Sequence, residues 1–475
     1  MTTKYLKYSM LVFAGLLIIA SCKVSQTYKR PDLVPGHLYR DSLNTDSSRL
    51  STDTTSMADL PWRSLFADTV LQALIQEGID NNLDLRTAVL KIVESQATLR
   101  QAKMAYFPTL DAGVQVTKAK SSQAALNFPT GIGINLNTTT YQASLSASWE
   151  INIWGQLGSL KRQALANFLQ SDASKRAVQT QLIADIANNY YTLLAYDQQL
   201  AITQQTVTNR ISDVETMKEL KENAVVNGAA VVQSEANRYA AEVSIPDLKQ
   251  SIRETENALC ILLARVPGPI KRNTLTDQQA ATALNEGLST QLLRNRPDVQ
   301  ASEFAFRSAF ENTNVAHSYF YPTLTITAEG GLSTLQLKNL FDHSIFYNLV
   351  GGLTQPIFNR GQNKARYQIA KAQQQEAFNT FRSTILTAGQ EVSNALYSYQ
   401  TAASKQATRQ LQLEALQKSV DFTKELLRYS SATNYTDVLT SEQSLLAAQL
   451  SGVNDKLQQL QATVNLYRAL GGGWK

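Results

Sequence analysis

Four short segments alternate residue by residue between apolar and polar side chains, and this pattern limits the fold more than any other feature of the chain. Leu110, Ala112, Val114 and Val116 interleave with Asp111, Gly113, Gln115 and Thr117. Tyr141, Ala143, Leu145, Ala147 and Trp149 interleave with Gln142, Ser144, Ser146 and Ser148. Leu324, Ile326 and Ala328 interleave with Thr325, Thr327 and Glu329, and Tyr347, Leu349, Gly351 and Leu353 make a weaker fourth case. A period of two puts one set on each face of a strand. Each segment runs about nine residues, the length a tilted strand needs to cross a bilayer. Taken singly, each also suits a half-buried strand in a soluble sheet. In lipid, however, four strands cannot close a barrel, and open edges are not tolerated there. Membrane barrels have about eight strands or more, so two, three or four copies must complete the wall. The expectation is an obligate oligomer with its axis along the barrel.

The N-terminus supports the lipid setting. Lys4 and Lys7 precede an apolar run from Met10 to Ala20, which is too short to span a bilayer as a helix. The run closes on "LIIASCK", Leu17 to Lys23, where small Ala20 and Ser21 precede Cys22. This resembles a bacterial lipobox, so residues 1–21 read as a signal peptide and Cys22 as the lipid attachment. Acyl chains contribute about 0.8 kcal/mol per buried CH2, which holds such a chain to a membrane. With Cys22 acylated, Cys260 has no intramolecular partner; in "ALCILLA" it reads as a small buried helix residue. The net charge of +5 falls to +3 without Lys4 and Lys7, too weak to indicate nucleic acid. No later run of eighteen apolar residues suggests a transmembrane helix, so any crossing falls to the strands. Residues 22–60, with Pro31 and Pro35, read as a lipid-anchored, extended and poorly packed arm.

Beyond the arm the chain repeats itself. Asn82-Leu83-Asp84-Leu85 opens a helical stretch ending at Pro108, and Arg296-Pro297-Asp298-Val299 opens one ending at Pro322. The offset is 214 residues. The first repeat, 61–270, is read as a helix, a β-hairpin 109–150 and a helical hairpin 159–265. The second, 271–475, is a helix, a β-hairpin 322–354 and a helical hairpin 362–470. Ile186, Leu193, Leu200, Val207 and Val214 recur every seven residues, as do Ile385, Val392, Tyr399, Leu413, Val420 and Leu427, with Gln406 in the missing slot. A sustained seven-residue period implies coiled-coil packing, and a helix of about 60 residues is roughly 90 Å long. The helices turn near Asn227-Gly228 and Thr433-Asn434. The fold class is therefore mainly α with membrane β. "RPD" reads as a helix start: Pro297 suits a first turn and Asp298 favours the dipole. Trp149 and Trp154 lie where strand meets helix and suit either an aromatic belt at the lipid interface or packing inside; packing is the expectation because the strand is nearly over. Gly471-Gly472-Gly473 are expected to stop a helix and leave a loose tail.

Several motifs together resemble the outer-membrane factor family of TolC-like efflux channels, and within it the NodT-type lipoproteins. They are "YKRPDLVP" from Tyr28, Trp62 with Phe66, Asp68 and Leu71, "LLRNRPDVQASE" from Leu292, "WEINIWG" from Trp149, "QPIFNRGQ" from Gln355 and "LYRALGGGW" from Leu466. The resemblance implies a homotrimer with a twelve-stranded barrel and a twelve-helix tunnel in the outer membrane. It also implies docking to a periplasmic adaptor and an inner-membrane transporter, commonly of the resistance-nodulation-division type. Lys23 after the cysteine fits outer-membrane sorting as known in enteric bacteria. Acids beside the second helical turn ring the closed tunnel end in such channels. Asp437 matches one such position, Thr440 stands where another acid is common, and Val231 is expected at the corresponding place of the first repeat, lining the aperture. An acid in a helix's first turn, capped by Asn434, would also explain Asp437.

An outer-membrane channel for type I protein secretion shares this architecture. A periplasmic adaptor lipoprotein would carry one helical hairpin rather than two. The histidines His37, His317 and His343 do not pair at metal-ligand spacing, and no HExxH, GxSxG or P-loop pattern occurs. The expectation is no enzyme, with no catalytic, metal or cofactor residues beyond the covalent lipid.

Overall fold

The computed structural model describes residues 24–33, 38, 56–122, 124, 136–279, 291–429 and 435–475. The signal peptide, Cys22, Lys23, His37 and the turn at Thr433-Asn434 lie outside them. In chain order the main elements are α1 (Thr69–Asn81), α2 (Leu83–Met104), β1 (Thr109–Lys120), β2 (Asn137–Ile151), α3 (Gln156–Glu222), α4 (Gly228–Leu262), α5 (Pro297–Ser318), β3 (Thr323–Thr334), β4 (Ile345–Thr354), α6 (Gln362–Tyr429) and α7 (Tyr435–Ala469). The expected duplication is present, with small shifts. The first hairpin helix starts at Gln156 rather than 159, and the strands run 10 to 15 residues rather than nine. Helices α3 and α6, of 67 and 68 residues, are each about 100 Å long.

The chain divides into two compact units. The first comprises residues up to Pro31, Val93–Gln170 and Glu303–Thr380. Its sheet has the order β1-β2-β3-β4, all antiparallel, and β2–β3 joins the two repeats. Directly opposed residues share a face, so register decides whether the alternation adds up across the sheet. It does. Leu110 opposes Ala147, Ala112 opposes Leu145 and Val114 opposes Ala143; Trp149 opposes Ile326, Ile151 opposes Leu324, Leu324 opposes Leu353 and Ala328 opposes Leu349. The other face aligns Gln115 with Gln142, Ser146 with Glu329 and Glu329 with Asn348. Gln142 Nε2 donates to Glu329 Oε1 at 3.0 Å there.

The strand-to-helix turns of the two repeats match. Gly155 and Gly361 both take left-handed φ, at 79° and 78°, immediately before α3 and α6 begin. Trp154 packs as expected: its Nε1 donates to Pro322 O at 2.6 Å and its ring lies 5.2 Å from that of Tyr321. Trp149 remains 41% exposed, although its Nε1 reaches Tyr106 O at 2.9 Å.

The arm departs from the sequence expectation. Between Gln26 and Arg30 it is extended but tightly packed along α5. Gln26 N donates to Asn314 Oδ1 at 3.1 Å, Tyr28 sits against Phe306 and Phe310, and Arg30 Nε donates to Glu303 Oε1 at 2.6 Å. Every second arm residue thus meets successive turns of one helix.

The second unit comprises Asp32–Ile92, Ser171–Ser302 and Phe381–Lys475. Its core contains Leu71, Ile75, Ile186, Leu193, Tyr190 and Phe381. The heptad positions Ile186, Leu193, Val214, Ile385, Val392, Val420 and Leu427 are buried, whereas Gln406 is exposed. Cys260 is buried in α4, and its thiol donates to Gly268 O at 3.4 Å. Asp68 caps α1, accepting from Val70 N at 2.8 Å, and also accepts from the buried Tyr190 hydroxyl at 2.7 Å.

Each repeat fastens its opening helix to the last turn of its own helical hairpin. Asn82 Nδ2 donates to Leu262 O at 2.9 Å, and Arg296 Nη1 donates to Ala469 O at 2.9 Å. The "RPD" helix does start at Pro297, yet Arg296 is buried and also pairs with Asp298 and Glu391. Helix α7 ends at Ala469 as the glycines suggest, but the tail is not loose. Gly471, Gly472 and Gly473 are buried, Trp474 Nε1 donates to Asn295 O at 2.9 Å, and Arg176 stacks 4.8 Å above the Trp474 ring. A Cβ at Gly471 would run into the Asn295 carbonyl, so the glycines permit a close backbone approach that stops the tail from swinging free.

Candidate functional site

Two regions bear on function: the sheet faces and the turn of the helical hairpins. On the sheet, the apolar face lies open. Leu110, Val114, Val116, Leu145, Tyr347 and Leu349 are each more than half exposed. Strands β1 and β4 are the edges, with no further strand among the described residues. A contiguous exposed apolar face of this kind marks an interaction with lipid or protein. No helix among the described residues is long and apolar enough to cross a membrane.

At the hairpin turn, α3 ends at Glu222, Ala224 follows at φ 58°, and Val225 N donates back to Leu220 O at 2.8 Å. Asn227 then caps α4, accepting from Ala230 N at 3.1 Å. Met217, Val231, Leu427, Tyr435 and Val438 pack together here, with Leu220, Val226 and Ala230 around them. Asp437 lies in the first turn of α7 and is exposed, as is Thr440, whose hydroxyl donates to Thr436 O at 2.8 Å. Val231 does not line an aperture: it is 8% exposed and belongs to the packed cluster. Aligning "NGAAV" with "NYTDV" pairs Val231 with buried Val438 and Asp437 with Ala230. The expected pairing of Val231 with Asp437 is off by one because α6 is one residue longer than α3.

Behind the turn lies a charged layer that the sequence did not reveal. Lys424 on α6 stands 3.0 Å from Asp213 on α3 and 2.5 Å from Glu442 on α7. Burial pulls the Lys424 ammonium down, but the two carboxylates outweigh it and hold its pKa above the ordinary lysine value. Burial pushes the Glu442 carboxyl up and the nearby Asp213 charge adds to this, with Lys424 opposing. Buried Arg210 donates to the Asn237 carbonyl in the same layer. Arg210, Lys424 and Glu442 border a polar cavity of about 480 Å³. A second cavity of about 550 Å³ opens where Gln406 interrupts the heptads, beside Arg409 and its 2.7 Å ion pair with Asp455.

Among the described residues no group of three or more His, Cys, Asp or Glu is placed to hold a metal ion. His317 stacks among Phe320, Tyr321 and Tyr367.

The family model described as outer membrane efflux protein matches residues 74–265 and 288–472, which correspond to the two repeats. The probable outer membrane lipoprotein SilC of Salmonella typhimurium is 28% identical over 98% of this chain and 99% of its own length. The probable efflux pump outer membrane protein TtgC of Pseudomonas putida is 29% identical over 96% of this chain and 94% of its own. The structure of the open state of the Neisseria gonorrhoeae MtrE outer membrane channel superposes with a TM-score of 0.82 at 26% identity, covering 96% of this chain and 99% of that one.

Proposed function

The chain belongs to the outer membrane efflux protein family, and from that premise we propose that three copies close one twelve-stranded barrel around a water-filled pore, each supplying its four strands. The protein is the outer-membrane channel of a tripartite efflux system, a passive conduit with its helices in the periplasm, working with an adaptor and an inner-membrane transporter. In this reading the transporter is of the resistance-nodulation-division type, Cys22 carries the lipid, and the chain has no catalytic role. The observation that carries the reading is the sheet itself: one continuous exposed apolar face, one polar face and two open edges. Edges of that kind in lipid require a second copy on each side.

Asp437 is the proposed gate position. Three exposed carboxylates around one axis would draw cations and repel one another. Single-channel recording in planar bilayers tests both levels of the proposal. The purified chain should run as a heat-modifiable oligomer and conduct. Asp437→Asn should lower cation preference and weaken block by multivalent cations. Unchanged conductance and block in that variant would remove Asp437 from the gate, and a detergent-independent monomer that never conducts would end the channel reading.

A further inference from the structure

The charged residues of the four strands are sorted by sign between the two faces. Asp111, Glu150 and Glu329 all fall on the polar face, whereas Lys118 and Lys120 continue the apolar row Leu110, Ala112, Val114, Val116. Both lysines are exposed, and neither ammonium meets a carboxylate among the described residues. Their cross-strand neighbours are Thr139 and Asn137, and the preceding pair on the same face is Val116 with Tyr141. An aliphatic band therefore gives way first to an aromatic ring, then to lysines flanked by neutral hydrogen-bonding groups.

A lysine on a lipid-facing surface costs about 2–4 kcal/mol at the bilayer midplane and close to nothing at the interface. Lys118 lies eight residues beyond Leu110, about 26 Å along the strand and about 20 Å along the membrane normal at the usual tilt. That places its ammonium at headgroup level while its aliphatic stem stays over the apolar band. The level is that of the outer leaflet. The unit's helices join the strands at the opposite ends, before Thr109 and after Ile151, and they belong to the periplasm. The lysines sit at the ends that carry the β1–β2 connection, away from those helices.

We propose that Lys118 and Lys120 form a phosphate-binding step on the outer rim of the barrel, taking the anionic headgroup of a phosphorylated glycolipid in the outer leaflet. The charge complementarity, the position past the aromatic level and the absence of a lysine from the polar face of the same strands all favour a lipid headgroup over cargo in the pore. The inference rests on the sheet spanning the outer membrane.

The test is native mass spectrometry of the full-length oligomer in detergent, with diphosphorylated lipid A, its dephosphorylated form and phosphatidylglycerol as probes. Each lysine near an anionic surface shifts partition about fivefold, so Lys118→Gln with Lys120→Gln should cut retention of diphosphorylated lipid A about 25-fold at low salt. The dephosphorylated form should be retained weakly by both proteins, and Lys118→Arg with Lys120→Arg should keep both the oligomer and the lipid. Equal retention by the glutamine variant overturns the proposal, as does equal retention of the dephosphorylated probe. Stronger binding of phosphatidylglycerol than of lipid A reassigns the site to phospholipid and overturns the glycolipid assignment. If the glutamine variant dissociates at lower temperature but keeps its lipid, the lysines serve the contact between copies and the proposal fails. A chain that never reaches the outer-membrane fraction fails the channel reading instead, before any lipid is measured.

Discussion

Lys424 lies 3.0 Å from Asp213, and this contact joins α6 of the second repeat to α3 of the first just behind the hairpin turn. Glu442 on α7 completes the triad at 2.5 Å. Lys424→Met would leave two carboxylates facing each other in a partly buried layer. A fully buried pair costs about 3–5 kcal/mol to break, but the Lys424 side chain is 34% exposed, so we expect about 1–2 kcal/mol. Hydrogen exchange near the turn should read this as faster opening of 210–217, 424–429 and 435–442, with the sheet unaffected.

The same triad has a pH signature. The Glu442 carboxyl is raised in the folded protein above its ordinary value of 4.5, so the folded state takes up the proton first. Its contribution to stability is complete below the ordinary value and is lost as pH rises through the raised one. Protection at the turn should therefore increase as pH falls from neutral towards the carboxylate range. Glu442→Gln should flatten that dependence; a slope that persists in the variant would place the titrating group elsewhere.

Much of this was legible because period two and period seven are geometric properties of strand and helix, visible without knowing any partner. The apolar row of β1 meets that of β2 because register obeys the same rule. What was not legible depended on distant partners. Gln26, Tyr28 and Arg30 look like polar arm residues until α5 presents Asn314, Phe310 with Phe306, and Glu303 in matching order. The three terminal glycines read as slack because a glycine that permits close approach and one that merely ends a helix look identical in sequence. Lys424, with Asp421, Glu425 and Arg428 around it, looks like any solvated helix charge, and nothing local named Asp213 as its partner.

Arg296 should prove a stability residue rather than a transport residue. Its side chain is 5% exposed and bridges Asp298, Glu391 and the Ala469 carbonyl. Arg296→Met removes the buried cation of that junction and leaves Glu391 only its 3.3 Å pairing with Arg468; we expect a loss of about 3 kcal/mol, read as a lower thermal dissociation midpoint with unchanged single-channel conductance in surviving oligomers. Burial pushes the Asp298 carboxyl up, but Arg296 prevails and holds it below the ordinary 3.8. That contribution is present above 3.8 and is lost as pH falls through the lowered value. The native protein should therefore lose stability in strong acid by a step that Arg296→Met lacks.

The arm offers a proteolytic test. Tyr28 lies 5.8 Å from the Phe306 ring and 5.6 Å from Phe310, and Arg30 is paired with Glu303. Such ring pairs contribute about 0.5–1.5 kcal/mol each beyond their burial. Tyr28→Ser should release the arm by about 2 kcal/mol, near thirtyfold in the detached population. Limited trypsin digestion should then cut after Lys29 far faster than in the native chain, whereas Tyr28→Phe should remain resistant; the bond after Arg30 is shielded by Pro31.

Gly330 and Gly331 are neighbours on β3 that face opposite sides, and they should respond differently to the same change. A Cβ at Gly331 would strike the Ala143 carbonyl and the Ser144 backbone of β2, and backbone, unlike a flexible side chain, cannot swing aside. At Gly330 the nearest atom is Phe346 O at 3.6 Å, an ordinary contact. Gly331→Ala must therefore push β2 and β3 apart at the seam where the two repeats pair, and any barrel that needs a continuous ladder fails there. Gly330→Ala adds one methyl to the apolar face and leaves the ladder intact. Semi-native electrophoresis of heated and unheated membrane extracts checks the pair: the oligomer band should vanish in Gly331→Ala and persist in Gly330→Ala. Equal yields from both would show that the β2–β3 seam does not carry the assembly.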